Sequence, residues 1–136
     1  MKKILAFFVL AGLLAAGCGG GRGTGKDNPL HDKIITLCVN DFADMAQRGQ
    51  VRVIDVRTRT EYNEGHIAGA ENIDVNQPDF IERLRLKADV AVYCRSGKRS
   101  QRAAALIAAE GYTVYELGGG FDAWQQAGKP SVGQGR

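Results

Sequence analysis

One short segment in the second half of the chain constrains the fold more than any other part. Four apolar residues at 90–93 are followed by Cys94, by a loop that contains Gly97, and by an alanine-rich segment over 102–110. The apolar run predicts a buried strand, and the alanine-rich segment predicts a helix that Gly111 ends. Residues 94–100 then form a strand-to-helix turn, a connection typical of parallel sheets. The segment therefore predicts a cysteine at the carboxyl end of a parallel strand.

The same alternation of strands and helices extends along the chain from residue 34. Further strands are predicted over 34–37, 51–56, 70–73 and 113–117. Helices are predicted over 41–48, with Asn40 as its cap and Gly49 at its end, over 61–64, and over 121–126 with Trp124 facing inward. Another helix begins at Pro78 and carries an apolar stripe of Phe80, Ile81 and Leu84. This order predicts an α/β fold, a mainly parallel sheet with helices on both faces.

The first residues of the chain predict export. Lys2 and Lys3 precede an uninterrupted apolar stretch over 4–16, which has the length of a secretory signal and is too short to span a bilayer. Residues 14–18, Leu-Ala-Ala-Gly-Cys, resemble a bacterial lipoprotein signal, in which the cysteine carries a diacylglycerol and becomes the first mature residue. The resemblance implies lipidation of Cys18 and anchoring to a bacterial membrane, on its periplasmic or outer-surface side. A plain, cleaved signal peptide is the alternative.

These features divide the chain into four parts. Residues 1–17 form the signal peptide, 18–30 the lipidated cysteine and a glycine-rich tether, 31–130 one folded domain, and 131–136 a flexible tail. Without Lys2 and Lys3 the chain has 16 basic and 15 acidic side chains, which gives no support for nucleic-acid binding. Three cysteines are too few for a disulfide scaffold. Cys38 lies in an apolar segment and is predicted to be buried, and a disulfide with Cys94 is the alternative.

The charges around Cys94 favour an anion. Arg95, Lys98 and Arg99 follow the cysteine closely, and the predicted helix start adds unpaired N–H groups and the positive end of a helix dipole. This setting predicts a reactive thiolate and a lowered pKa for the thiol. A buried structural cysteine is the alternative, but such a site has no need of a cationic loop that contains glycine.

Several ordered motifs between residues 36 and 128 match those of a known family. They are Ile54-Asp55-Val56-Arg57, Glu61-Tyr62, Gly65-His66-Ile67 with Gly69-Ala70 and Asn72-Ile73 after it, the Cys94 loop, and Leu117-Gly118-Gly119 followed by Phe121 and Trp124. In this order and spacing they resemble the single-domain rhodaneses. The resemblance implies a sulfurtransferase without a cofactor, which takes a sulfane sulfur from a small anionic donor such as thiosulfate. A cysteine persulfide then carries the sulfur to a thiol or cyanide-like acceptor.

The resemblance also assigns roles to the loop residues. Cys94 matches the catalytic cysteine, and the loop that binds substrate and persulfide comprises Arg95, Ser96, Gly97, Lys98, Arg99 and Ser100. Its backbone amides would surround the terminal sulfur, with Gly97 allowing the tight curl and Ser100 opening the helix. Lys98 and Arg99 would hold the donor and the sulfite that leaves. Ser96 stands where mammalian relatives of this loop have lysine, which leaves the identity of the donor open.

Two other functions are compatible with the same fold. Phosphatases and arsenate reductases place five residues between the cysteine and an arginine, whereas only residues 95–98 separate Cys94 from Arg99. The shorter loop should be too small for a tetrahedral oxyanion, and it suits a single sulfur atom better. A sulfur-binding or redox-sensing module without turnover is the other alternative, because an intact loop does not exclude it.

Other polar residues are predicted to support the site rather than to react. Asp55, Arg57 and Glu61 are expected to form an ion-pair network that fixes the loop, and His66 is expected to have a hydrogen-bonded structural role. Two separated histidines, His31 and His66, do not predict a metal site. The protein is expected to act as a monomer. An activated thiolate outside the cytoplasm meets an oxidising environment, so three states of Cys94 are open: a persulfide, a thiol kept reduced by a partner, or a disulfide with Cys38.

Overall fold

A computed structural model describes residues 29–133, which form one five-stranded sheet and the helices that cover it. The strands are β1 (Ile34–Leu37), β2 (Arg52–Asp55), β3 (Glu71–Asn72), β4 (Val90–Tyr93) and β5 (Val114–Leu117). The helices are α1 (Val39–Arg48), α2 (Arg59–Glu64), α3 (Phe80–Leu84), α4 (Lys98–Ala109) and α5 (Gly120–Gln126), after a 3-10 helix at His31–Lys33. The strand order is β1-β5-β4-β2-β3, and every neighbouring pair is parallel. The predicted parallel α/β fold is confirmed.

Each face of the sheet buries its own apolar cluster. Residues of α3 and α4 cover one face, where the cluster includes Ile54, Leu84, Val92, Ile107 and Val114. Residues of α1 and α5 cover the other face, where the cluster includes Phe42, Tyr93, Leu117, Phe121 and Trp124. All residues of β4 are buried, as expected for a central strand covered on both sides. Trp124 faces inward, as predicted, and its Nε1 donates a hydrogen bond of 2.9 Å to the carbonyl of Pro130.

The structure corrects the predicted start of α1. The helix begins at Val39, and Cys38 rather than Asn40 is its N-cap residue. Cys38 has an extended backbone, and its carbonyl accepts a hydrogen bond of 2.9 Å from the N–H of Phe42, which makes it the first acceptor of the helix. This position leaves Cys38 half-buried rather than buried. Gly49 ends the helix in the left-handed region at φ 62°, as predicted.

A second correction concerns α4, which begins at Lys98, earlier than the predicted start at residue 102. Gly97 is the N-cap residue, and its carbonyl accepts a hydrogen bond of 3.0 Å from the N–H of Gln101. Polar residues fill the first turn, so no apolar periodicity marks it in the sequence. Ser100 therefore does not open the helix but lies within its first turn, fully buried.

Local hydrogen bonds explain a third difference, the start of α2. Thr58 and Glu61 form a capping box, in which the Thr58 hydroxyl accepts from the N–H of Glu61 at 3.3 Å. The Glu61 carboxylate accepts in return from the N–H of Thr58 at 3.0 Å. These two bonds extend the predicted turn over 61–64 back to Arg59. The strands β2 and β3 are both shorter than predicted.

Residues 29–133 contain no helix of the length and apolarity needed to cross a bilayer. The predicted signal peptide over 1–17, Cys18 and most of the predicted tether lie outside the described residues, and so do residues 134–136. The predictions for those segments are therefore not decided by the fold.

Candidate active site

Cys94 lies directly after β4, which has β5 on one side and β2 on the other. Because the strands are parallel, their carboxyl ends meet at one edge of the sheet, and the loop to α4 starts from the middle of that edge. The cysteine is only 1% exposed, and it is a free thiol. The alternative disulfide between Cys94 and Cys38 is therefore not formed.

The loop after Cys94 curls back toward its sulfur. Gly97 donates a hydrogen bond from its backbone N–H to the Sγ of Cys94, at 3.0 Å. Gly97 has φ 112°, a conformation that favours glycine because a side chain there would be strained. The amide dipole and the start of α4 both favour negative charge on the sulfur. The geometry thus provides one backbone donor aimed at the atom that would react.

The hydroxyl of Ser100 lies on the buried side of the same sulfur. Its Oγ is 3.5 Å from Cys94 Sγ, 3.1 Å from the carbonyl oxygen of Gly97 and 2.7 Å from Oε1 of Glu116. Glu116 belongs to β5 and is only 4% exposed. Burial raises the pKa of Glu116, and the hydrogen bond with Ser100 opposes that effect in part. Our sequence reasoning missed Glu116, although one acidic residue inside a predicted buried strand was a visible signal.

Arg99 is engaged by a carboxylate of another helix. Its two terminal nitrogens donate to the two carboxylate oxygens of Glu61 in α2, at 2.7 and 2.8 Å. This bidentate pair ties the first turn of α4 to α2, so Arg99 is not the freely available cation that the sequence suggested. Lys98 is exposed and forms no ion pair among the residues that the structure describes.

The start of α5 holds the other end of the loop. The N–H groups of Phe121 and Asp122 donate to the carbonyls of Cys94 and Arg95, at 2.8 and 3.0 Å. The exposed Arg95 side chain also lies 3.6 Å from the carboxylate of Asp122. Gly120 allows this approach, because a Cβ at that position would lie 2.5 Å from the carbonyl oxygen of Arg95. The glycine run before the last helix is thus the turn that the family resemblance implied, and it also packs against the loop.

The expected network of Asp55, Arg57 and Glu61 is divided into two separate ion pairs. Arg57 pairs with the fully buried Asp55 at 2.6 Å and also donates to the carbonyl of Gly65 at 2.6 Å. Its guanidinium lies over the ring of Phe121, 4.4 Å from the centroid. Glu61 pairs with Arg99 instead. The first pair holds the segment that follows β2 against α5. The second pair holds the first turn of α4 against α2.

His66 is held by its neighbours in a structural arrangement. Its ring stacks on Tyr62 with 3.6 Å between centroids, and its Nδ1 lies 2.8 Å from the carbonyl of the same residue. Its backbone exchanges two hydrogen bonds with Val132, at 2.7 and 2.9 Å. These contacts engage both the ring and the backbone of His66, and its structural role stays a prediction. Within residues 29–133 no group of histidine, cysteine and acidic side chains is arranged to hold a metal ion.

A cleft of about 270 Å³ lies beside the loop. Its lining carries both signs of charge, from Arg57 and Arg95 on one hand and from Glu61, Glu64 and Asp122 on the other. Arg95 is the loop residue that lines this cleft, and Cys94 is not among its lining residues.

Comparison with known proteins identifies the family. The model of the Rhodanese-like domain matches residues 39–127. This chain belongs to the rhodanese-like family. The thiosulfate sulfurtransferase GlpE of Pseudomonas fluorescens SBW25 is 43% identical over 83 residues, 60% of this chain and 75% of that protein. GlpE of Shewanella oneidensis is 37% identical over 93 residues, 67% of this chain and 92% of that protein.

Solved structures agree with the same assignment. A rhodanese-related protein from Thermoplasma volcanium superposes with a TM-score of 0.64 at 27% identity, over 71% of this chain and 96% of that one. A thiosulfate sulfurtransferase from Pseudomonas aeruginosa superposes with a TM-score of 0.63 at 30% identity, over 72% of this chain and 19% of that one. The predicted rhodanese domain and the predicted rhodanese-type enzyme class are confirmed.

We predict that Gly120→Ala destabilises the protein more than Gly128→Ala. Both glycines have left-handed φ angles, 63° and 69°, so both substitutions carry a conformational cost of about 1 kcal/mol. Only at Gly120 would the new methyl group collide with the loop, since nothing lies within 4 Å of a Cβ at Gly128. We expect a loss of about 3 kcal/mol or more in the free energy of unfolding for Gly120→Ala, measured in urea. Equal losses would show that the contact with the loop carries no energy.

We also predict a loss of stability in acid that depends on Glu61. Hydrogen bonds from Arg99 lower the pKa of Glu61 from its ordinary 4.5 to about 2, against the opposing effect of burial. Because the folded-state pKa is depressed, the pair stabilises the protein fully above about pH 4.5 and loses this contribution as the pH falls through about 2. The contribution should be roughly 1 to 2 kcal/mol, given the partial exposure of the pair.

The measurement is the free energy of unfolding at several pH values across that window, for wild type and Glu61→Gln. Glutamine keeps the capping box, so the variant removes mainly the charge. Glu71→Gln is a matched control, because Glu71 also binds an arginine with both oxygens but is half exposed. We expect a smaller fall in acid for Glu61→Gln and an unchanged fall for Glu71→Gln. Parallel curves for all three proteins would contradict the prediction.

Proposed function

We propose that this protein moves a sulfane sulfur from a small anionic donor such as thiosulfate to a thiol or cyanide-like acceptor, through a persulfide on Cys94. The observation that carries the proposal is the Gly97 N–H, directed at the sulfur of a buried, free thiol at the carboxyl end of the central strand. The curated relatives described above, named thiosulfate sulfurtransferases, support the choice of donor.

The proposed reaction has two displacements at sulfur. The Cys94 thiolate attacks the outer sulfur of the donor, the S–S bond of thiosulfate breaks, and sulfite leaves with the electron pair. The acceptor then attacks the outer sulfur of the persulfide and regenerates the thiolate. The amides of residues 95–100 would stabilise the persulfide as backbone donors, beginning with Gly97. The exposed Lys98 would attract the donor, while Arg99 acts as a positioning residue through Glu61.

The contacts of Arg99 favour sulfur over phosphate as the transferred group. A phosphatase loop presents its arginine to the oxyanion, but here the guanidinium of Arg99 is bound at both terminal nitrogens by Glu61. The loop of four intervening residues, 95–98, also curls tightly enough for the Gly97 N–H to contact the cysteine sulfur. Both features suit one additional sulfur atom and leave little room for a tetrahedral group.

Intact mass spectrometry tests the proposal. Incubation with thiosulfate should add the mass of one sulfur atom to the wild-type protein, and cyanide should remove it. Cys94→Ser should show no gain, whereas Cys38→Ser should keep it, because Cys94 is the free thiol within residues 29–133. No gain in wild type with any sulfane donor would contradict transfer and favour a sensing module without turnover.

We further propose that the domain acts outside the cytoplasm as a monomer, anchored through a lipid on Cys18 and maintained by a reducing partner. The lipoprotein-like pattern at 14–18 and the glycine-rich segment after it support the anchor. Fractionation of a bacterial host should place wild type in the membrane fraction with a diacylglycerol on Cys18, and Cys18→Ser should lose both. A soluble wild-type protein without lipid on Cys18 would contradict the anchor.

A further inference from the structure

Glu116 is a buried carboxyl group that the proposed sulfur transfer does not use. It lies in the middle of β5, next to Thr36 of β1 and Val92 of β4, with its side chain on the face that α4 covers. Burial of a carboxylate is costly unless a partner compensates it. None of the ion pairs within residues 29–133 involves Glu116, and its hydrogen-bond partner is the hydroxyl of Ser100.

The Ser100 hydroxyl connects this carboxyl group to the reactive sulfur. Its oxygen has Glu116 Oε1 at 2.7 Å, Cys94 Sγ at 3.5 Å and the Gly97 carbonyl at 3.1 Å. The hydroxyl has one proton to donate, and the carbonyl can only accept. If Glu116 and Cys94 were both ionised, three acceptors would compete for that single proton. One further proton, on the sulfur or on the carboxyl group, leaves a single anion for the Ser100 hydroxyl to donate to.

We propose that Glu116, acting through the Ser100 hydroxyl, accepts the proton of the Cys94 thiol, so that thiol and carboxyl share one negative charge. In this step the S–H bond breaks and its proton binds Ser100 Oγ, while the Ser100 hydroxyl proton passes to Oε1 of Glu116. The sulfur keeps the electron pair and becomes the thiolate. The net charge of the site does not change, and no proton has to leave the buried site.

The transfer forms the thiolate that attacks the sulfur donor, so this inference rests on the proposed function. After the transfer, the Glu116 carboxylic acid donates to Ser100, and the Ser100 hydroxyl is free to donate to the sulfur anion. The thiolate or persulfide then has donors on two sides, Gly97 and Ser100, without a second anion behind it. The burial that raises the pKa of Glu116 makes it a better proton acceptor than an exposed glutamate.

Burial and the hydrogen bond with Ser100 shift the pKa of Glu116, and no charged group within residues 29–133 is among the causes. In β4 the residue paired with it is Val92, and Cys94 follows two positions later. In β1 the paired residue is Thr36, and α4 buries Ser100 and several small apolar residues against the sheet, namely Ala103, Ala104 and Ala108. The nearest cation of that helix turn, Arg99, is bound to Glu61. The coupled pair is therefore Glu116 and Cys94, and its two ionisations belong to the pair as a whole.

The ultraviolet absorbance of the thiolate, recorded against pH with Cys94→Ser as the blank, tests the inference. Wild type should show two steps, a partial thiolate signal that forms while the pair holds one charge and a second rise when the last proton leaves. Glu116→Gln is nearly isosteric and cannot accept the proton, so it should lose the first step and show a single one. Ser100→Ala removes the hydroxyl that would donate to the thiolate in the shared state, so it should reduce the size of the first step. Glu110→Gln, at an exposed glutamate after α4, is the matched control and should keep both steps.

Infrared spectroscopy provides a readout that a structural role of Glu116 would not change. The carboxylic-acid C=O band of Glu116 is present in acid, and in wild type it should persist while the first thiolate signal forms and disappear only with the second step. Glu116→Gln should lack this band at every pH. A single thiolate step in wild type, or a first step of unchanged size in Ser100→Ala, would overturn the inference. If Glu116→Gln does not fold, Ser100→Ala decides the question.

Sulfur loading from thiosulfate separates this inference from the proposed function. A wild-type protein that loads sulfur but titrates in one step would refute the shared proton and leave sulfur transfer intact. A wild-type protein that titrates in two steps but never loads sulfur would support the shared proton and refute the transfer.

Discussion

The hydrogen bond from the Gly97 N–H to the Cys94 sulfur is the interaction on which the rest of the site depends. It exists because Gly97 takes a left-handed backbone angle, which reverses the chain directly after the sheet and starts α4 at the next residue. The same reversal brings Ser100 beneath the sulfur, one helical turn later. A side chain at residue 97 would strain this conformation and with it the positions of both donors.

Three other elements hold the loop in that conformation, and each does so by a different interaction. Glu61 of α2 binds Arg99, the first N–H groups of α5 bind the carbonyls of residues 94 and 95, and Glu116 of β5 binds Ser100. The loop is thereby fixed at its start, its end and its buried side. A preorganised loop of this kind does not have to reorganise when charge develops on the sulfur, which is the condition for electrostatic stabilisation in catalysis.

The strands and the place of the cysteine were predictable because short apolar runs and strand-to-helix turns have local signals. The start of α4 was not, because its first turn is polar and follows from the backbone angle of Gly97 rather than from periodicity. The partner of Glu61 was also missed, since Arg99 is 38 residues away and only the fold brings the two together. Glu116 was missed for a related reason. The strand pattern shows a buried acidic residue, but it does not show that its partner is Ser100 on another element.

The contacts of the loop change the physical explanation for a reactive sulfur. The sequence places three cations near Cys94 and suggests that their net charge stabilises the thiolate. In the structure Glu61 binds Arg99, and Arg95 lies near Asp122. Of these three cations, Lys98 alone has no ion pair among the described residues. Stabilisation of a sulfur anion must then come mainly from oriented donors, which act at bonding distance and are weakly screened by salt. A site built this way depends on backbone geometry and on the buried carboxyl group of Glu116 behind Ser100 more than on the number of its arginines.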